Sequence, residues 1–250
     1  MPVVIAEASE VTIYNADDPA LPMWRVEDYT GLTITSVDML NGKLVIGTTT
    51  GVVISDYAAD ELGSTTLDYT TGTTPAIVNA SVNDVAMTVE AGAPTDPATG
   101  LPVPTIAVAT AGGLSVINND GTITDSVAVD NAATVTVADN GFWWGSISTR
   151  LYYTTFADAL AGDGFGDQFG DTDGTDDFPL LTQPKFGALD YANDVLVVGG
   201  VGNAELATAG LMLHQPNYAS QLDGMSALIT DTFNTGWQFG TSLGTFLSST

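Results

Sequence analysis

The sequence contains no cysteine. Disulfides and thiolate metal sites are therefore excluded. It has one histidine, His214. A lone histidine without cysteine argues against a histidine zinc site and a catalytic triad. His214 reads as a surface or packed residue near a strand end. Basic residues are nearly missing. Arg25, Lys43, Arg150 and Lys185 stand against 30 acidic residues, for a formal net charge of −26. Such a surface repels phosphate, which argues against nucleic acid and against anionic membranes. No run approaches the ~20 apolar residues of a membrane helix, so no membrane insertion is expected. The opening MPVVIAEASE lacks a basic n-region and a long apolar stretch, so no signal peptide is expected. Helical patterning is also scarce. Only Phe156 to Leu160 and Ala204 to Ala209 suggest a turn of helix.

What is present is a chain of 250 residues that is 44% hydrophobic. That is enough to build a sizeable core despite the charge. A net charge this negative repels itself, and salt screens it beyond ~10 Å at roughly 0.1 M. The acid is mostly Asp. Two explanations are open: a saline habitat or bound cations, and the plain suitability of Asp for turns, where its carboxylate accepts nearby N–H groups.

The internal pattern is repetitive. Leu40 to Asp56 reads LNGKLVIGTTTGVVISD: an Asn-Gly turn, an apolar run, a small-residue turn and a second apolar run. The same order appears in PVPTIAVATAGGLSVIN (from Pro102), DNGFWWGSISTRLYYTT (from Asp139), ANDVLVVGGVG followed by AGLMLH (from Ala192), and NTGWQFGTSLGTFLSST (from Asn234). The small-residue markers are Gly47, Ala109, Gly145, Gly199 and Gly240. Their mean spacing is near the ~40–50 residues of a propeller blade. A further strand precedes most pairs: Gly31 to Leu40, Asn79 to Val89, Ala133 to Asn140, Phe186 to Asn193, and Met225 to Thr232. This reads as the innermost strand of each unit. The pair that follows is apolar on consecutive residues, as in strands buried on both faces. Thr122 to Val129 reads as an outer strand.

Beta-branched residues and Gly or Asn turns dominate, so the fold class is all-β. A propeller-like array of five or six short antiparallel blades fits best, because radial stacking buries each sheet on its neighbours. A β-sandwich or a stacked-sheet fibre domain is the alternative. Residues 1–30 read as a ring-closing or docking segment and residues 31–250 as the repeat domain. Excursions are expected at 91–104 and 158–177, where function often resides.

The acidic loop Asp163 to Phe178 is the candidate metal site. Asp171, Asp173, Asp176 and Asp177 offer the oxygens that Ca²⁺ favours. The spacing departs from the helix-loop-helix calcium pattern, because Thr175 and Asp176 fall at its fifth and sixth positions. A solvated acidic loop is the competing reading. Ca²⁺ is the only cofactor the sequence suggests. Phe142, Trp143, Trp144, Tyr152 and Tyr153 form the candidate ligand or interface patch, since exposed aromatics stack on sugars and partners. The competing reading places them between blades. Glycine-rich turns at Thr110 to Gly113 and Val198 to Gly202 have no Lys-Ser/Thr after them and do not read as phosphate loops. No acid pair stands out for glycoside hydrolysis, so no enzyme is expected.

LNGKLVIGTTTGVVISD, NTGWQFGTSLGTFLS and the opening VTIYNADDPALPMWRV resemble propeller-like repeats in large virion proteins of marine tailed bacteriophages. The resemblance spans most of the chain through short, glycine-driven motifs. In longer relatives such repeats often precede a concanavalin-like lectin domain, which these 250 residues do not include. The resemblance implies a structural protein of the virion, in a tail, fibre or capsid surface, serving assembly or host attachment. Implied partners are other virion proteins, further copies of the chain and a host surface glycan. The alternative expectation is a secreted or surface-exposed module that binds glycans or proteins.

Overall fold

The computed structural model describes residues 2–58, 77–126, 131–146, 151–161, 167–169, 185–192, 195–201, 210–215, 225–230 and 245–246. These residues form five antiparallel sheets and one short helix. The first sheet is β1 (Pro2–Ala6), β2 (Glu10–Asn15) and β3 (Met23–Asp28). The second is β4 (Ile34–Leu40), β5 (Lys43–Thr48) and β6 (Gly51–Asp56). The third runs β7 (Val82–Thr88), β8 (Thr105–Thr110), β9 (Gly113–Ile117) and β10 (Ile123–Asp125). The fourth runs β11 (Ala132–Ala138), β12 (Gly141–Ser146), β13 (Leu151–Thr155) and β14 (Asp167–Phe169), with α1 (Phe156–Ala161) between the last two. The fifth is β15 (Lys185–Ala192), β16 (Val195–Val201), β17 (Gly210–Gln215), β18 (Met225–Thr230) and β19 (Thr245–Phe246).

Strand order follows chain order in every sheet. The first strand of each sheet packs on the first strand of the next: β1 on β4, β4 on β7, β7 on β11, and β11 on β15. The fold is therefore all-β and propeller-like, with blades that meet along their innermost strands. A two-sheet sandwich would instead bury one broad face on another.

The core explains the doubly apolar middle strands. Leu44 and Ile46 of β5 join Val11, Ile13 and Tyr29 between the first and second sheets. Val45, one residue over, joins Val82, Val85 and Val108 between the second and third. Ala107 and Ala109 of β8 face the fourth sheet, where Phe142, Trp144 and Tyr152 fill the space. Successive side chains thus serve opposite interfaces, as the two-residue period of a strand requires. Large rings stand opposite alanines, which keeps the sheets closely packed.

Four of the five small-residue markers share one structural position, while Gly240 lies outside the described residues. The first strand of each repeat carries a bulge: between Ile34 and Ser36, Val82 and Asp84, Ala132 and Thr134, and Phe186 and Ala188. Gly47, Ala109, Gly145 and Gly199 each pair with the residue just after it. A Cβ on Gly47 would lie 2.7 Å from Val82 Cγ1 of the next sheet and 3.3 Å from Val85 Cγ1. Gly47 is small because the neighbouring blade occupies that space.

The turn after the marker also repeats. Thr48 donates to the Gly51 carbonyl at 2.9 Å, and the Thr50 N–H donates back to its hydroxyl at 3.1 Å. Thr110 does the same with Gly113 and Gly112, at 2.8 and 3.1 Å. Gly51 and Gly113 sit at φ of 146° and 128°, where a side chain is disfavoured. Both threonines are buried, and these bonds satisfy them.

Two sequence expectations take a different form. Residues 2–28 make a three-stranded sheet of their own rather than one closing strand. Met225–Thr230 does not start a sixth unit. It pairs with β17 as the fourth strand of the fifth sheet, because its alternating apolar residues suit an outer position as well as an inner one. The excursion at 91–104 joins β7 to β8 and carries a Thr95–Pro102 bridge. The one described helix lies at the Phe156 turn, as expected, while Ala204 to Ala209 lies outside the described residues. Asp18, Asp28, Asp56, Asp96 and Asp120 each accept the N–H two residues on. The turn explanation for the aspartates therefore holds at these five positions.

Candidate binding site

Phe142, Trp143 and Trp144 are fully buried, and Tyr152 and Tyr153 are nearly so. Their strand is not an edge: β12 lies between β11 and β13, and β13 pairs with β14. The rings are cross-strand partners. Trp144 stacks on Tyr152 at 3.9 Å and 10°, and Trp143 meets Tyr153 at 4.8 Å. Phe142 makes an edge contact with Phe156 at 5.2 Å. Trp144 Nε1 donates to Thr154 Oγ1 at 3.1 Å. The expectation of a ligand or interface patch is thus corrected. Consecutive aromatics point to both faces of a strand, and here both faces are covered. Asp171, Asp173, Asp176 and Asp177 lie outside the described residues. Among the described residues no cluster of three or more potential ligands could hold a metal. His214 falls within β17, opposite Leu196 and Ser226.

The structure gathers polar groups at two other places. The first is a row along the innermost strands, just past each bulge. Asp84 accepts the Ser36 hydroxyl at 2.7 Å on one oxygen and the Thr134 hydroxyl at 2.9 Å on the other. The N–H groups of Val85 and Val135 complete its shell at 2.9 and 3.0 Å. Asp38 accepts Met87 N–H from the next sheet and Met39 N–H from its own, each at 2.7 Å. Burial pushes the Asp38 carboxyl up, the two N–H groups pull it down, and the nearby Asp84 charge adds to the rise. Asn83 reaches forward to Asn131 and the Ala132 carbonyl at 2.8 and 2.6 Å. Apart from the Val85 and Met39 N–H bonds, which stay within their own strands, these bonds run between blades, so the row is an internal staple.

The second is an open cleft of about 380 Å³ between the first two sheets. Tyr14, Asn15, Asp17 and Trp24 line it from the first sheet, and Met39 and Gly42 from the second. Trp24 is the extra residue of a bulge in β3, since Arg25 pairs with Ile13 and Met23 with Tyr14. Bulges re-aim side chains, and Trp24 is left 56% exposed. It makes a T-shaped contact with Tyr57 at 5.5 Å. Arg25 lies over the Tyr57 ring at 5.6 Å and pairs with Glu27, whose carboxylate also accepts the Tyr57 hydroxyl at 3.4 Å. Burial, then the Glu27 charge, push the Tyr57 phenol up, so it stays neutral. Asn15 Oδ1 accepts the Asp17 N–H at 3.0 Å, which turns the Asn15 side chain toward its own loop. Leu21 in that loop sits at φ 46°, an unusual conformation outside glycine.

Sequence reasoning passed over Trp24 and Asp84. Trp24 follows a proline-rich turn at a strand start, and only the bulge sets it apart from an ordinary alternating residue. Asp84 could have been found as the one charge in SVNDVAMTV.

No protein-family model matches the sequence, and comparison with characterised proteins finds no match. Similar folds are found among solved structures. The computationally designed Ika8 protein aligns at a TM-score of 0.52 and 12% identity, over 92% of this chain and 65% of its own. BBS1N, solved in complex with ARL6DN, aligns at 0.52 and 14%, over 92% of this chain and 71% of its own. U3-55K aligns at 0.53 and 10%, over 84% and 57%. At these identities the likeness concerns fold alone. The chain spans less than two thirds of the length of Ika8 and U3-55K.

Proposed function

We propose that this chain is a non-enzymatic structural protein of a bacteriophage virion, a propeller-like scaffold in a tail, fibre or capsid surface. The sequence resemblance points there, and the observation that carries the reading is the outer face of the first sheet. Val3, Ile5, Met23 and Val26 are all exposed, and the register puts them on one face, with Val3 and Met23 flanking Tyr14 and Ile5 and Val26 flanking Thr12. The opposite face buries Val11 and Ile13 on the second sheet. An apolar sheet face of this kind suits a second copy of the chain. Mass spectrometry of purified phage particles tests the reading. Stoichiometric presence is expected. Absence from particles, with the protein free in the medium, overturns it.

The cleft beside Trp24 favours a second reading, a surface-exposed binding module. The two are compatible on a virion, where attachment needs a surface that recognises the host.

A further inference from the structure

We propose that the cleft between the first two sheets is a binding subsite for a neutral sugar ring of the hexopyranose class. The proposal rests on the binding-module reading and is independent of whether the protein is found in particles.

Three features of the cleft match that chemistry. The first is the platform. A pyranose presents C–H groups on its faces and hydroxyls at its rim, so it stacks on an aromatic plane and bonds at its edge. Trp24 is the exposed plane, and the bulge in β3 turns it out of the ladder. It is also held in place. The chain of contacts from Trp24 to Tyr57, Arg25 and Glu27 fixes its setting before any ligand arrives. An ordered platform binds with less loss of side-chain entropy.

The second is the polar rim. Asn15 uses its amide oxygen on the Asp17 N–H, which leaves its Nδ2 as a donor. Asp17 brings a carboxylate to the same wall. A donor and an acceptor beside an aromatic plane are what vicinal hydroxyls require. The third is size, since about 380 Å³ falls within the ~300–1,000 Å³ of small-ligand pockets.

Charge selects among sugars. The net charge of −26 repels sialic, uronic and sulfated rings. Arg25 offers little relief, because Glu27 already pairs with it. A neutral hexose or N-acetylhexosamine is the ligand that remains.

The test is a titration of the full chain with cellobiose, maltose, lactose and N,N′-diacetylchitobiose, followed by calorimetry and tryptophan emission. Sialyllactose is the anionic control, and dextran separates a surface polysaccharide from a free sugar. Saturable binding to at least one neutral probe is expected, with none to the anionic one. Trp24→Ala should weaken it by about tenfold or more with the fold retained, and Asp17→Asn should weaken it to a smaller extent. The chain has four tryptophans, and an emission change that is lost in Trp24→Phe reports the cleft. Stronger binding to dextran assigns a polymer and equal binding a free sugar. Both support the site. No saturable signal with any neutral probe, a preference for sialyllactose, or binding unaffected by Trp24→Ala overturns it.

Discussion

The Asp84 carboxylate accepts the Thr134 hydroxyl at 2.9 Å across the boundary between the third and fourth sheets. Its other oxygen holds Ser36 of the second sheet. One side chain therefore ties three blades together. Asp84→Ala leaves two hydroxyls and two N–H groups without their acceptor. A loss of about 3 kcal/mol is expected, with a smaller loss in Asp84→Asn, which keeps one acceptor oxygen. Urea unfolding checks both, and equal midpoints for wild type and Asp84→Ala would refute the staple.

Gly47→Ala places a methyl 2.7 Å from Val82 Cγ1. Overpacking of this kind costs about 1–3 kcal/mol. Val82→Ala in the same chain opens the space, so the double variant should be more stable than the sum of the two single losses. The double-mutant cycle measures that coupling, and simple additivity would show that the blades do not meet there.

Trp144→Ala removes a fully buried ring that stacks on Tyr152. A loss of about 3–5 kcal/mol is expected. Trp24→Ala, at an exposed position, should cost less than about 1 kcal/mol. Thermal unfolding of the two variants separates a core aromatic from a cleft aromatic.

Asp38 gives a pH signature. Its folded-state pKa lies above the usual carboxylate value, first because of burial. The folded chain then holds that proton more tightly than the unfolded chain. Stability from this group is full below the unfolded value of ~3.9 and is lost as pH rises through the raised folded value. Wild type should therefore lose stability relative to Asp38→Asn as pH rises across that window. Paired unfolding curves in high salt, which suppresses the general repulsion, measure the difference.

Legibility followed periodicity. The inner and middle strands were readable because each lays apolar residues at a period of two or on consecutive positions, and the two patterns report one covered face or two. The first sheet was harder, since Pro2–Ala6 and Met23–Asp28 carry apolar residues on a face that the described fold leaves open. Met225–Thr230 carried the inner-strand pattern but took the outer position, because alternation specifies a face and says nothing of rank within a sheet. The aromatic patch failed for a related reason. Phe142 to Trp144 would have looked the same in sequence on a surface or between blades, and only the alanines of β8 opposite them decide for the interior. The cleft was invisible because it depends on one bulged residue.

The repeated bulge has a consequence for how such a chain can change over time. From the second sheet to the fifth, each unit carries the same device: a slip in the first strand and a small partner beside it. A duplicated or deleted whole unit preserves that device, while loss of a single residue at the slip, such as Thr35, inverts every side chain on one side of it. Length variation among chains built this way should come in entire blades and in the loops between them, and scarcely at all within the innermost strands.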